Sequence, residues 1–208
     1  MPKQGARNDI EVCAKMICEG IDLSTVANEH PVAYIKFHKG FTALASARIP
    51  KRNFKTEVFW YYGPTGTGKS HSARAEAGDD VFYKMGGNRW WDGYVGQSDV
   101  IIDDFRKDLC PFHELLRLFD KYPHRIEYKG GSCEFVAKRI WVTCHKSPSE
   151  LFVDATTGVE REDLGQLLRR LSVVRRFSEF FGGARGISSG NGSVGDAPPS
   201  SFAESFVL

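Results

Sequence analysis

Gly63-Pro64-Thr65-Gly66-Thr67-Gly68-Lys69-Ser70 is the stretch from which the fold of this chain can be read. It has the form G-x-x-x-x-G-K-[ST], which is a phosphate-binding loop. Before it, Thr56 to Tyr62 (TEVFWYY) is apolar, aromatic and β-branched, and reads as a buried strand. After it, Ser70 to Ala77 is polar and Ala-rich, and reads as the start of a helix. Strand, glycine loop and helix are what a triphosphate needs. The glycines turn backbone N–H groups inward, and the helix N-terminus adds its positive dipole end. Lys69 supplies a point charge for the β- and γ-phosphates, and the Ser70 hydroxyl is placed to hold Mg²⁺. All eight residues, Gly63, Pro64, Thr65, Gly66, Thr67, Gly68, Lys69 and Ser70, are candidate nucleotide-binding residues.

A second carboxylate-bearing strand follows about 40 residues later. Asp99 to Phe105 reads DVIIDDF, a short β-branched strand that delivers Asp103 and Asp104 at its C-terminal end. This is the Walker B pattern. Asp103 is assigned to the metal and Asp104 to the attacking water. Two adjacent acids alone would read as a turn or cap; behind a Val-Ile-Ile strand and after a P-loop they read as a site.

Bulk properties bound the rest. At 208 residues the chain is one moderate domain plus extras, long enough to bury a core. It is 41% hydrophobic and 26% charged, ordinary for a soluble protein. No apolar run approaches the roughly 18 residues of a membrane span, and MPKQGARNDI lacks a secretory apolar region. The cysteines are Cys13, Cys18, Cys110, Cys133 and Cys144. Their odd number, without a C-x-x-C, argues against disulfides and a cysteine zinc site and for a reducing compartment. Net charge is +2, but six Lys/Arg face two Glu between Lys121 and Lys146. Four Arg (Arg169, Arg170, Arg175, Arg176) and no acid lie between Gln166 and Phe177. Such clusters are the footprint of a polyanion binder, or else solvated faces.

Along the chain, residues 1–52 read as helical. Asp9 caps a first helix with Ile10, Cys13, Ala14, Ile17 and Ile21 inward; Ser24 caps a second; Pro31 opens a third. Residues 48–55 are basic and read as a linker. Val81 to Met85 reads as a strand. The aromatic run Arg89 to Tyr94 reads as core packing ahead of base stacking. Pro111 opens a helix with Phe112, Leu115, Leu116 and Phe119 on one face. Arg125 to Lys129 and Cys133 to Val136 flank Gly130-Gly131 as a hairpin with Lys129 at its tip. Arg139 to Cys144 is another buried strand, and Ser147, Pro148 and Glu150 form a capping box. Glu162 to Leu171 is the last helix, with Leu164, Leu167, Leu168 and Leu171 inward. From Gly182 the chain is rich in Gly, Ser and Pro and reads as a disordered tail. The domain expectation is therefore 1–52 a helical segment and linker, 53–181 the nucleotide domain, and 182–208 the tail.

GPTGTGKS, NRWWDGY, VIIDDF, YPHRIEYKGG and IWVTCHKSP, in that order, resemble the superfamily 3 helicase domain of replication-initiator (Rep) proteins, above all those of circovirus-like viruses with circular single-stranded DNA. The resemblance covers roughly residues 1–181. It implies an α/β fold of AAA+-like P-loop NTPase type, with ATP and Mg²⁺ bound. It implies self-association, usually as a hexameric ring around single-stranded DNA, with the segment before the P-loop as the oligomerisation region. RNA is the alternative strand, since the superfamily includes RNA-virus enzymes. The resemblance further implies that Lys129, Gly130 and Gly131 contact nucleic acid. It assigns Arg169 or Arg170, with Arg170 preferred, as the arginine finger reaching a neighbouring subunit's ATP. It places the protein in the host cell nucleus, away from membranes. His145 stands where the family's sensor Asn usually ends the strand before KSP, and is a candidate catalytic residue. The family's nicking domain, with a metal-binding His pair and a catalytic Tyr, has no counterpart: no His-x-His occurs. The expectation is a truncated, split or defective relative. An ATP-dependent DNA helicase module is the first reading. A non-catalytic, oligomerising single-strand-binding fragment that modulates a full-length partner is the second, with an RNA-directed NTPase beside it.

Overall fold

β-branched and aromatic runs supply the strands of a mostly parallel sheet. The computed structural model describes residues 8–85, 88–153, 164–180 and 205–207, the last three as backbone only. The strands are β1 (Glu57–Tyr62), β2 (Val81–Met85), β3 (Asp99–Asp103), β4 (Arg125–Tyr128), β5 (Gly131–Glu134), β6 (Arg139–Cys144), β7 (Val173–Arg176) and β8 (Ser205–Val207). The helices are α1 (Asn8–Cys18), α2 (Leu23–Glu29), α3 (Pro31–Arg48), α4 (Lys69–Glu76), α5 (Phe112–Leu118), α6 (Pro148–Phe152) and α7 (Leu164–Leu168). The large sheet runs β2–β3–β6–β1–β7–β8 and is parallel throughout except at the β7–β8 edge. The α/β fold expected of a superfamily 3 P-loop NTPase is therefore the fold observed. The expected tail over 182–208 lies outside the described residues apart from Ser205–Val207. No described helix is long and apolar enough to cross a membrane.

The chain divides into two compact units. The first comprises Met1–Asn53, Trp90–Gln97 and Tyr122–Val136; the second comprises Phe54–Arg89, Ser98–Lys121 and Ala137–Leu208. In the first unit, Cys13, Ile17, Val26, Ala33 and Phe41 close a small helical core. Asp22, not Ser24, caps α2. Its carboxylate accepts from the Thr25 backbone N–H at 2.9 Å, and from the Thr25 and Ser24 hydroxyls. The Ser24 and Thr25 hydroxyls hold its acid strength well above that of an ordinary carboxyl. Trp91 and Tyr94 pack on Phe135 at 5.2 and 5.4 Å between ring centroids, so this part of the aromatic run is core.

In the second unit β3 and β6 are buried on both faces, as parallel strands under helices must be. Val100, Ile101, Ile102, Ile140 and Val142 are fully buried, each stabilising by about 1.5–3 kcal/mol. Asp99 and Arg139 lock the opposite, N-terminal ends of these strands. Arg139 grips both Asp99 oxygens, and Asp99 also accepts the Gly78 N–H at 2.7 Å. The sequence reading missed β7 because its arginines look like surface charge. Val173-Val174 was the available signal, and Phe59 and Trp60 of β1 pair with them.

The expected basic cluster at 166–177 is partly internal. Arg170 pairs with Asp120 at 2.6 Å, while Arg175 pairs with Glu76 at 2.8 Å and covers the Tyr61 ring. In the 121–146 cluster Arg125 pairs with Glu134 and Arg139 with Asp99. These cations answer acids in the same chain, so the sequence count overstates the available positive surface.

Gly63 leaves β1 with φ 143°, and its N–H donates to the Cys144 carbonyl at 3.2 Å. A Cβ there would lie 2.0 Å from the Phe177 carbonyl oxygen, on the β7 side. Gly63→Ala is therefore expected to cost roughly 3 kcal/mol or more, through strain plus backbone overlap. Asp99→Ala leaves Arg139 and the Gly78 N–H without their acceptor, at a cost of about 2 kcal/mol. Chemical denaturation of each variant against the wild type checks both.

Candidate nucleotide-binding site

Parallel strands present their C-terminal ends to one crevice, which is where open α/β sheets hold ligands. Here β1 ends at the glycine loop, β3 at Asp103 and β6 at Cys144. Between them lies a cavity of about 490 Å³ lined by, among others, Lys69, Ser70, Asp103, Asp104, Thr143 and His145. Expected site residues from the P-loop, the acid pair and the end of β6 thus meet around one space, although the chain separates these three segments widely.

The loop reaches its shape through glycines. Gly66 and Gly68 have φ 84° and 85°, and Gly68 serves as the left-handed N-cap of α4. Thr67 is buried, its hydroxyl donating to the Pro64 carbonyl at 2.9 Å. Lys69 starts α4, and its ammonium donates to the Gly63 and Pro64 carbonyls at 2.8 and 2.6 Å. Burial pushes the Lys69 ammonium below its ordinary pKa, with Cys144, Asp103 and Asp104 opposing the shift. A phosphate would add countercharge to this half-buried cation, whose hydrogen bonds go to the neutral Gly63 and Pro64 carbonyls.

Across the cavity, Asp103 Oδ1 accepts from the Ser70 hydroxyl at 2.6 Å and from the Thr143 hydroxyl at 2.7 Å. Ser70 Oγ and Asp103 are hard oxygen donors of the kind Mg²⁺ takes, with phosphate oxygens and waters completing its shell. No cluster of three or more His, Cys, Asp or Glu among the described residues could hold a metal unaided. This donor set fits a metal brought in with a nucleotide. Asp104 lines the same cavity, and its Oδ2 pairs with Arg106 at 2.9 Å, both groups exposed.

His145 follows β6 and is exposed in the lining of the cavity. The segment that carries it is tied down by Trp60, whose indole N–H donates to the Lys146 carbonyl at 3.1 Å. The capping box expected after it forms, with Ser147 and Glu150 exchanging hydrogen bonds at the start of α6. Arg170 is not among the residues lining the cavity. Its guanidinium holds Asp120 through two nitrogens and the Gln166 carbonyl through a third, while its neighbour Arg169 is exposed. In the first unit, Lys129 and Gly130 form the two-residue turn between β4 and β5, with Gly130 at φ 96° and Gly131 opening β5. The Lys129 ammonium is exposed, and its backbone N–H donates to Asp92 at 2.7 Å.

Thr143 was missed by the sequence reading, which placed the polar end of β6 at His145. Alternation along β6 was the available signal, since residues two apart on a strand share a face.

Comparison with known proteins agrees with this geometry. The family described as RNA helicase, a superfamily 3 helicase family, matches residues 59–145, from β1 to His145. The replication-associated protein of Human associated cyclovirus 1 is 43% identical over 158 residues, covering 72% of this chain and 56% of the relative. That of Porcine circovirus 1 is 40% identical over 152 residues, covering 72% and 48%. That of Pigeon circovirus is 40% identical over 174 residues, covering 83% and 52%. The chain spans about half the length of the curated relatives it matches. The P-loop, the acid pair and the end of β6, which converge on one cavity, all lie within the residues over which this chain is similar to superfamily 3 helicases and to the replication-associated proteins of circoviruses.

Proposed function

We propose that the chain is the ATP-hydrolysing helicase part of a viral replication-associated protein, acting on single-stranded DNA as a self-associated ring during rolling-circle replication in the host nucleus. The observation that carries this reading is the convergence of Lys69, Ser70, Asp103 and Asp104 on one cavity. Lys69 neutralises phosphate charge, while Ser70 and Asp103 supply oxygen ligands. Mg²⁺, when bound, offsets charge on the transferring phosphoryl group. Asp104 orients the attacking water and takes its proton, after exchanging its Arg106 contact. An arginine from a neighbouring copy stabilises the transition state. Arg169, being exposed, suits that role better than Arg170, whose guanidinium is engaged by Asp120.

Residues 1–52 would associate with other copies to close a hexamer. Val32 and Ile35 on α3, exposed at 63% and 73%, support such a contact. Lys129, at an exposed hairpin turn, would contact the phosphates of the strand. The second reading is an assembling, strand-binding fragment with little turnover. Histidine at the sensor position and the pairing of Asp104 with Arg106 favour it.

ATP hydrolysis with and without single-stranded DNA separates the two. Strand-stimulated turnover is expected in the wild type, with Lys69→Ala slower by about 100-fold or more. Equal inactivity of both proteins, with assembly on DNA intact, would sink the motor reading in favour of the fragment. His145→Asn then tells whether the sensor position silences turnover. Binding to one sequence as DNA and as RNA identifies the strand.

A further inference from the structure

Three hydroxyl side chains line the cavity. Those of Thr65 and Ser70 belong to exposed residues, whereas Thr143 is 2% exposed. A buried hydroxyl must find partners or destabilise the fold. The Thr143 hydroxyl finds them on two consecutive residues of the neighbouring strand end. It donates to Asp103 Oδ1 at 2.7 Å and accepts the Asp104 backbone N–H at 2.9 Å. The Thr143 carbonyl accepts the Phe105 N–H at 2.8 Å. A valine here would fill the same shape and keep the carbonyl contact, but would make neither hydroxyl contact to the acid pair.

The middle contact falls on a special residue. Asp104 has φ 47°, the only positive φ of a non-glycine residue among those described. Such a conformation costs on the order of 1–3 kcal/mol and persists only when its surroundings impose it. Thr143 holds the N–H of that residue and the backbone on its far side. It also holds Asp103 independently of Ser70, the other donor to Oδ1. If the Ser70 hydroxyl turns to a metal, Thr143 keeps the carboxylate in place.

We propose that Thr143 is the positioning residue of this site: its side-chain hydroxyl orients the Asp103 carboxylate and fixes the left-handed backbone turn that directs Asp104 into the cavity. The inference rests on the reading of the cavity as an ATP-hydrolysing site. Thr143 does not touch the reacting atoms; it acts through the two acids.

Thr143→Val removes the hydroxyl at constant shape, and Thr143→Ser keeps it while removing the methyl group. Two readouts are taken: kcat and KM for ATP, and the Mg²⁺ concentration needed for tight binding of a fluorescent ADP analogue, which requires no turnover. Thr143→Val is expected to lower kcat by about 10- to 100-fold, to leave KM for ATP within about twofold, and to raise the Mg²⁺ requirement about tenfold. Thr143→Ser should stay within about threefold of the wild type on every measure. Circular dichroism melts confirm folding, and Thr143→Ala replaces the valine variant if that does not fold. Wild-type kcat and Mg²⁺ requirement in the hydroxyl-less variant would overturn the proposal, as would a serine variant equally impaired. A wild type that hydrolyses no ATP would instead sink the motor reading, while the Mg²⁺ requirement still decides the role of Thr143.

Discussion

Asp103 Oδ1 is shared by two hydroxyl donors, Ser70 from α4 and Thr143 from β6, lying 33 and 40 positions away in the chain. That single oxygen joins the three segments that make the cavity. Long-range contacts of this kind must offset the entropy of closing the intervening loops. The sheet does most of that work in advance. β3 pairs in parallel with β6, and β6 with β1, so their C-terminal ends arrive at the same edge. Hydrophobic burial of these strands sets the framework, and a few polar contacts refine its rim to the scale of a hydrogen bond.

Backbone conformation is the second constraint. The glycine loop needs positive φ at Gly63, Gly66 and Gly68, where side chains would be strained. Gly63 is also where β7 passes so closely that no Cβ fits beneath the Phe177 carbonyl. The P-loop is thus fitted to the sheet around it. Asp104 reaches a left-handed conformation without being glycine, and the contacts that hold it come from β6. Strain at the rim of the cavity is supported by the rigid strands behind it.

Charge follows a similar logic. Arg139, Arg170 and Arg175 look like loose cations in the sequence, yet each answers an acid from a distant segment. Glu76 is the clearest case. At the end of α4 it receives Arg175, the Tyr61 hydroxyl and the Trp141 indole N–H. Those partners come from β7, β1 and β6, so the far end of the P-loop helix is tied to three strands. The net charge of the chain describes little of this, because what matters is which ions the fold brings together.

Sequence by itself determined the phosphate loop, the acid pair after a β-branched strand, the capping box at Ser147 and the hairpin at Gly130. Each is a local pattern whose physical cause lies within a few residues: a glycine where φ must be positive, a hydroxyl three positions before a glutamate, branched side chains in a buried strand. Only the tertiary structure decided that Thr143 stands between Asp103 and Asp104, that Arg170 is engaged by Asp120, that Asp22 rather than Ser24 caps α2, and that Val173–Arg176 is a strand beside β1. The α2 cap is local, but Asp22 and Ser24 both fit the capping rule, and backbone geometry alone separates them. The place of Thr143 and of β7 depends on strand order and register, and the Arg170–Asp120 pair on how the segments after α7 and α5 meet; one chain spells out neither, because the partners are dozens of residues apart. A threonine in a strand looks the same whether it faces packing or a carboxylate; the neighbouring strand tells them apart.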